Sequence, residues 1–180
     1  MNDNIIFIGM PGCGKSTIGS LLAKAMGWKF LDTDYLSMER EGARLQDIIT
    51  DCGLAIFREA ENSALLSVDA RRTVIATGGS AVFCTEGMTH LKSLGRVVYL
   101  RLPFEVIEGR VKNPATRGIA LAPGKTLRDA YDERTPLYEE WADVIVDGKG
   151  DSRETLAAVI PALGLTVNPR KDRPRRNRRR

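Results

Sequence analysis

The residues best equipped for chemistry lie near the start of the chain, in Gly9-Met-Pro-Gly12-Cys13-Gly14-Lys15-Ser16-Thr17. This run fits G-x-x-x-x-G-K-[ST], a pattern that winds backbone N–H groups around phosphate oxygens. The glycines let the backbone curl tightly, and the helix that follows turns its positive end toward the same anion. Lys15 adds a point charge for the β- and γ-phosphates of a nucleotide such as ATP, and the Ser16 hydroxyl suits the oxygen-rich shell of Mg²⁺. Gly12, Cys13, Gly14 and Thr17 complete the predicted cradle. Cys13 has no base partner in view, so it is expected to fill a loop position rather than act as a thiolate nucleophile.

A second pair, Asp32 and Asp34, follows at the end of a short apolar run. If that strand continues through Asp34, both carboxylates share one face, at the C-terminal rim where open α/β sheets bind ligands. One of the two then holds the metal through water while the other accepts from a substrate hydroxyl. The competing expectation is that the two carboxylates cap the next helix. The phosphate cradle alone leaves GTPase, ATPase, nucleotide kinase and small-molecule kinase open.

Elements that position these groups are legible as an alternation. Ile5–Ile8 is an apolar run before the glycine-rich turn, and residues 16–26 follow with apolar side chains at helical spacing. Short apolar runs recur at 30–31, 73–76, 97–100 and 143–146, separated by helical patterns that include 54–68 and 126–141. Five buried strands with helices between them imply a parallel sheet covered on both faces. The expected domain spans residues 1–167. From 109 to 125 the rhythm breaks into a glycine-, proline- and cation-rich stretch, expected to be a mobile loop.

Composition narrows the class. A chain of 180 residues is long enough to bury roughly 70% of its unfolded surface in one domain without disulfides. Three cysteines without a CxxC pair fit a reducing compartment, and a single histidine, His90, argues against a His-based metal site or a Ser-His-Asp triad. No apolar run reaches membrane-spanning length, so the chain is expected to be cytoplasmic. The net charge of +4 averages two unlike parts. Residues 168–180 hold seven Arg, one Lys and one Asp, or +7, leaving −3 for the rest. That tail is expected to be disordered; nucleic acid is expected as a partner only through non-specific contact with it, since it has no aromatic for base stacking.

Taken together, GMPGCGKST, LDTD at 31–34, Phe57-Arg58 with Glu61, Thr77-Gly78-Gly79, Arg117 and Arg134-Thr-Pro-Leu-Tyr138 resemble the shikimate kinases in order and near-family spacing across residues 5–165. The resemblance implies an α/β P-loop NTPase sandwich of nucleoside-monophosphate-kinase type, with a five-stranded parallel sheet and a mobile lid loop. It implies ATP- and Mg²⁺-dependent phosphorylation of the 3-hydroxyl of shikimate by a monomeric enzyme. Asp34 then binds the ring hydroxyls and takes the proton, Arg58 and Arg134 grip the carboxylate, and Gly79 admits the backbone. In the same reading Glu61 orients Arg58, Arg117 closes over the phosphates, and Arg110 and Arg153 approach the adenine. Departures are Ser80 in a glycine triplet, Gly118 in the lid and Met38 at a commonly acidic position. Another small hydroxylated acid or polyol as acceptor stays open, as does, in a different class, a P-loop protein that binds nucleic acid through its tail.

Overall fold

The computed structural model describes residues 3–112, 119–148 and 151–165. Its centre is a strand whose every residue is buried, β1 (Asn4–Ile8). Around it the sheet runs in the order β2 (Lys29–Asp32), β3 (Thr73–Ala76), β1, β4 (Gly95–Arg101), β5 (Val144–Asp147), with all pairs parallel. Full burial explains why β1 and β3 read as unbroken apolar runs, whereas the two edge strands are partly exposed.

Helices cover the sheet. α1 (Lys15–Met26) packs on β1, β2 and β3 and against α7 (Ser152–Ala162), which also meets β5. α4 (Thr85–Leu94) lies on β1 and β4, α6 (Leu127–Trp141) on β4, and α3 (Leu45–Leu66) on α4. α2 (Thr33–Glu41) pairs with α3, and α5 (Phe104–Arg110) with α6. The expected α/β sandwich with a five-stranded parallel sheet is therefore what the chain forms.

Three boundaries differ from the sequence expectation. β2 stops at Asp32 and α2 starts at once, so the strand does not carry Asp34. α3 begins nine residues before the predicted 54–68 helix and is bent at Gly53, whose φ of 84° and ψ of 171° break the helical run. Gly109 and Arg110, assigned to the loop, form the last turn of α5. Residues 113–118, including Arg117 and Gly118, and the basic tail 168–180 lie outside the described residues.

α6 is fixed at its start by a reciprocal cap. Thr126 Oγ1 accepts from Asp129 N at 3.1 Å while the Asp129 carboxylate accepts from Thr126 N at 2.7 Å, an arrangement worth about 1 kcal/mol. The buried side of this helix carries Arg134 and Tyr138 toward the sheet. The Tyr138 ring stacks on Tyr99 of β4 at 5.0 Å between centroids. His90 lies within 2.8 Å of the Val68 carbonyl through Nε2, a structural contact far in sequence from the phosphate loop. Cys13 and Cys84 are buried, Cys52 is exposed, and all three are free. No helix among the described residues is long and apolar enough to cross a membrane.

Candidate functional site

A cleft of about 650 Å³ opens at the C-terminal ends of β1, β2 and β3. Its floor is the loop between β1 and α1. Gly12 (φ 81°) and Gly14 (φ 104°) take left-handed conformations there, which a side chain would strain. Gly14 is the residue before the first turn of α1, so the free N–H groups of that helix face the cleft. Lys15 is 8% exposed. Its Nζ donates to Gly9 O at 2.7 Å and Met10 O at 3.0 Å, so the loop's own carbonyls hold the ammonium group. Cys13 is buried and touches that ammonium through Sγ at 3.8 Å, which fits its expected space-filling place.

Beside the cradle, Ser16 Oγ donates to Asp32 Oδ2 at 2.6 Å. Asp32 Oδ1 also accepts from Asp34 N at 3.1 Å and thereby caps α2. Capping, offered above as the competing account of the Asp pair, therefore holds for Asp32, yet the same residue meets the cradle serine. Asp34 reaches the cleft from the first turn of α2 rather than from a strand. Its carboxyl is pushed up to about 6, first by burial and then by the charge of Asp32, with Lys15 pulling the other way.

The same cleft is lined by Glu61, Ser80 and Arg134. Arg134 is 3% exposed. Its Nη2 donates to Ala120 O, while Nε and Nη1 are buried with no partner. A buried guanidinium with two idle donors is an anion site in waiting, since a carboxylate takes two parallel N–H bonds. Gly78 and Gly79 form the adjoining wall: a Cβ on Gly79 would come within 2.6 Å of the Pro11 ring. The Gly79 carbonyl accepts from Tyr138 Oη at 2.5 Å. No role was foreseen for Tyr138, although its place four residues after Arg134 puts both on one face of α6.

Two expected roles look different in three dimensions. Arg58 is exposed, does not line this cleft, and lies over the Phe83 ring at 4.6 Å, with the Arg134 guanidinium 5.7 Å from the same ring. Glu61 does not hold Arg58; its Oε2 accepts from Ser80 Oγ at 2.7 Å. The reason is local: Ser80 brings a hydroxyl to the buried carboxylate, whereas the Arg58 guanidinium lies over the Phe83 ring. On the nucleotide side, Arg110 lines the cleft and donates to Gly12 O at 2.8 Å. Arg153 is exposed and outside the cleft lining, where its neighbour Ser152 stands instead. Thr17 lines the cradle as expected.

A sequence profile of the shikimate kinases matches residues 11–163. The chain belongs to the shikimate kinase family. It is thus a kinase, a phosphotransferase of a family that uses ATP. A shikimate kinase of Moorella thermoacetica is 38% identical over 163 residues, covering 89% of this chain and 93% of that protein. Shikimate kinase 2 of Serratia proteamaculans is 32% identical over 172 residues, covering 92% and 98%. Among solved structures, the shikimate kinase of Acinetobacter baumannii in complex with shikimate superposes with a TM-score of 0.82 at 31% identity, covering 89% of this chain and 92% of that one. The cleft therefore sits in a kinase frame of this family, and its lining includes both the phosphate loop and Arg134.

Proposed function

We propose that the protein transfers the γ-phosphoryl group of ATP to the 3-hydroxyl of shikimate, the step its family name describes, as a cytoplasmic monomer. The observation that carries the reading is Arg134. A buried cation with two unpartnered N–H groups, in the same cleft as the phosphate loop and Asp34, calls for an acceptor that brings both a carboxylate and hydroxyls. Nucleoside monophosphates lack that combination.

In this reading the acceptor carboxylate takes the idle Nε and Nη1 of Arg134, and Arg58 joins it by turning from the Phe83 ring. The hydroxyls meet Asp34, which accepts the proton as the new O–P bond forms. Lys15 exchanges the Gly9 and Met10 carbonyls for the β- and γ-phosphates. Arg110 and Ser152 border the nucleoside. Ser16 Oγ and Asp32, a hydroxyl and a carboxylate in contact, form the hard oxygen donor set that Mg²⁺ prefers. When bound there the ion supplies charge neutralisation at the phosphates. Everything else the chain contributes is placement and fixed charge.

The test is ADP release by the purified protein with shikimate, gluconate, homoserine or nucleoside monophosphates as acceptor. Shikimate alone is expected to stimulate strongly, and Asp34→Asn should lower that turnover by about two orders of magnitude or more while nucleotide binding persists. No stimulation by shikimate sinks the assignment.

A further inference from the structure

Two stacked tyrosines beneath the cleft have no part in the transfer described above. Tyr138 of α6 is fully buried, Tyr99 of β4 is 1% exposed, and their ring centroids are 5.0 Å apart. Packing alone would be served by phenylalanine. A buried phenol brings a hydroxyl that costs stability unless it is hydrogen-bonded, so what Tyr138 Oη touches is the informative observation.

The hydroxyl meets both halves of the cleft. Oη donates to Gly79 O at 2.5 Å, in the turn after β3 whose residues Gly78, Gly79 and Ser80 line the cleft. It also lies 3.7 Å from Met10 Sδ, in the phosphate loop. One O–H carries one hydrogen, so the short bond to Gly79 takes it and the Met10 sulfur is a packing contact. Tyr99 extends the support: a Cβ on Gly9, the first residue of that loop, would stand 3.4 Å from its ring. Gly9 and Met10 are the two residues whose carbonyls hold Lys15 Nζ. The tyrosine pair thus underlies the anchor of the cradle lysine.

Gly79 also rests directly on the phosphate loop. A Cβ there would fall 2.6 Å from Cδ and Cγ of Pro11 and 3.2 Å from its nitrogen, which leaves no room for a side chain between the two segments. Gly79 therefore has Pro11 against its Cα and Tyr138 on its carbonyl. α6 holds the same turn a second time, through Trp141 Nε1, which donates to Val82 O at 3.2 Å. Val82 is outside the cleft lining, whereas Gly79 is part of it. Tyr138 itself does not line the cleft.

We propose that Tyr138 is a positioning residue that acts through the Gly79 peptide: its hydroxyl seats the acceptor wall against Pro11 and so sets the separation between the acceptor oxygen and the phosphoryl group to be transferred. This inference rests on the kinase reading above and adds to it a residue that touches neither substrate. In-line transfer needs its reacting atoms about 3–3.5 Å apart, and a misplacement of about 1 Å costs on the order of a hundredfold in rate. Binding of each substrate by its own contacts is less demanding. The signature of Tyr138 is therefore a lower kcat with both KM values held.

The experiment measures ADP release across ATP and shikimate concentrations, at a temperature well below every Tm, for the wild type, Tyr138→Phe, Tyr138→p-aminophenylalanine and Trp141→Phe. Tyr138→Phe is expected to lower kcat about tenfold or more and to keep both KM values within about twofold. The p-amino variant restores a donor to the same place and should return most of the lost kcat. Trp141→Phe removes a bond from the same helix to the same turn; it should lower Tm by a few degrees, about as much as Tyr138→Phe, and leave kcat unchanged. A wild-type kcat in Tyr138→Phe, a loss that shows only as a higher KM, an equal kcat loss in Trp141→Phe, or no rescue by the p-amino variant each overturns the proposal, while a normal wild-type rate leaves the kinase reading standing. If the wild type shows no shikimate-dependent release, reading and proposal fall together. Should Tyr138→Phe not fold, Pro11→Ala, which frees the Gly79 backbone where it rests on the loop, is expected to lower kcat with KM for shikimate held, and an unchanged kcat there overturns the proposal equally.

Discussion

Replacing Arg134 by methionine should make the empty protein more stable and the enzyme worse. Arg134 is 3% exposed and leaves Nε and Nη1 without partners. Each buried, unsatisfied donor costs about 1–3 kcal/mol, and the bond from Nη2 to Ala120 O returns about 1 kcal/mol. Methionine removes the two orphans and the one bond, which leaves a net gain of roughly 1–5 kcal/mol. For a chain of this size each kcal/mol moves Tm by about 2–4 °C, so a rise of several degrees is expected in ligand-free thermal unfolding. The same change deletes a forked, charge-assisted pair to the acceptor, worth about 1.5–3 kcal/mol, or roughly 10- to 150-fold in kcat/KM for shikimate. KM for ATP should hold. Arg134→Lys should recover only part of the activity, because a point charge does not reproduce the fork. A Tm that falls with an unchanged shikimate KM would refute the argument, since Arg134 would then be a structural cation with its needs met.

Other outcomes follow from the same geometry. Lys15→Met should cut ATP-dependent turnover by about two orders of magnitude or more, read as ADP release, because no other cationic side chain lies within the loop itself. Glu61→Gln should change stability with pH in a set direction. The raised carboxyl of Glu61 favours the fold while it is protonated, below about 4.5, and that advantage is lost as pH rises through about 7. The variant should therefore match the wild type in acid and exceed it by up to roughly 3 kcal/mol in mild alkali, measured as Tm against pH. Gly78→Ala should all but abolish shikimate-dependent turnover with nucleotide binding kept, because its methyl would stand within 2.6 Å of both Asp34 and Glu61 oxygens.

How much of this was written in the sequence depends on how far apart the partners lie. The phosphate cradle is one continuous stretch whose chemistry is carried by its own backbone, so Gly12, Gly14, Lys15 and Ser16 could be placed from spacing alone. The strands were legible for a similar reason, because burial on both faces leaves apolar runs. The Asp pair was read correctly as to its neighbourhood and wrongly as to its backbone: a strand of four residues that hands over to a helix at Asp32 gives no periodicity to separate the two. Glu61 was harder still. Its spacing from Arg58 suits a helical i,i+3 pair, but its actual partner, Ser80, comes from a loop 19 residues away. The bend at Gly53 and the half-used guanidinium of Arg134 are likewise products of packing between distant segments. Arg153 had no motif behind it, and the structure gives the cleft position to Ser152.

The order of the strands has a consequence for how such an enzyme changes its substrate. Asp34, Glu61, Gly78 and Ser80 all fall between β2 and the turn after β3, in one uninterrupted stretch of chain on one side of β1. The groups around the nucleotide come from before and after that stretch. Acceptor preference is thus largely a removable block: a graft of about fifty residues could exchange it in one event and leave the phosphate loop untouched. Arg134 is the exception, reaching in from α6, so a graft would keep one of the two arginines proposed for the acceptor carboxylate and replace the other, Arg58.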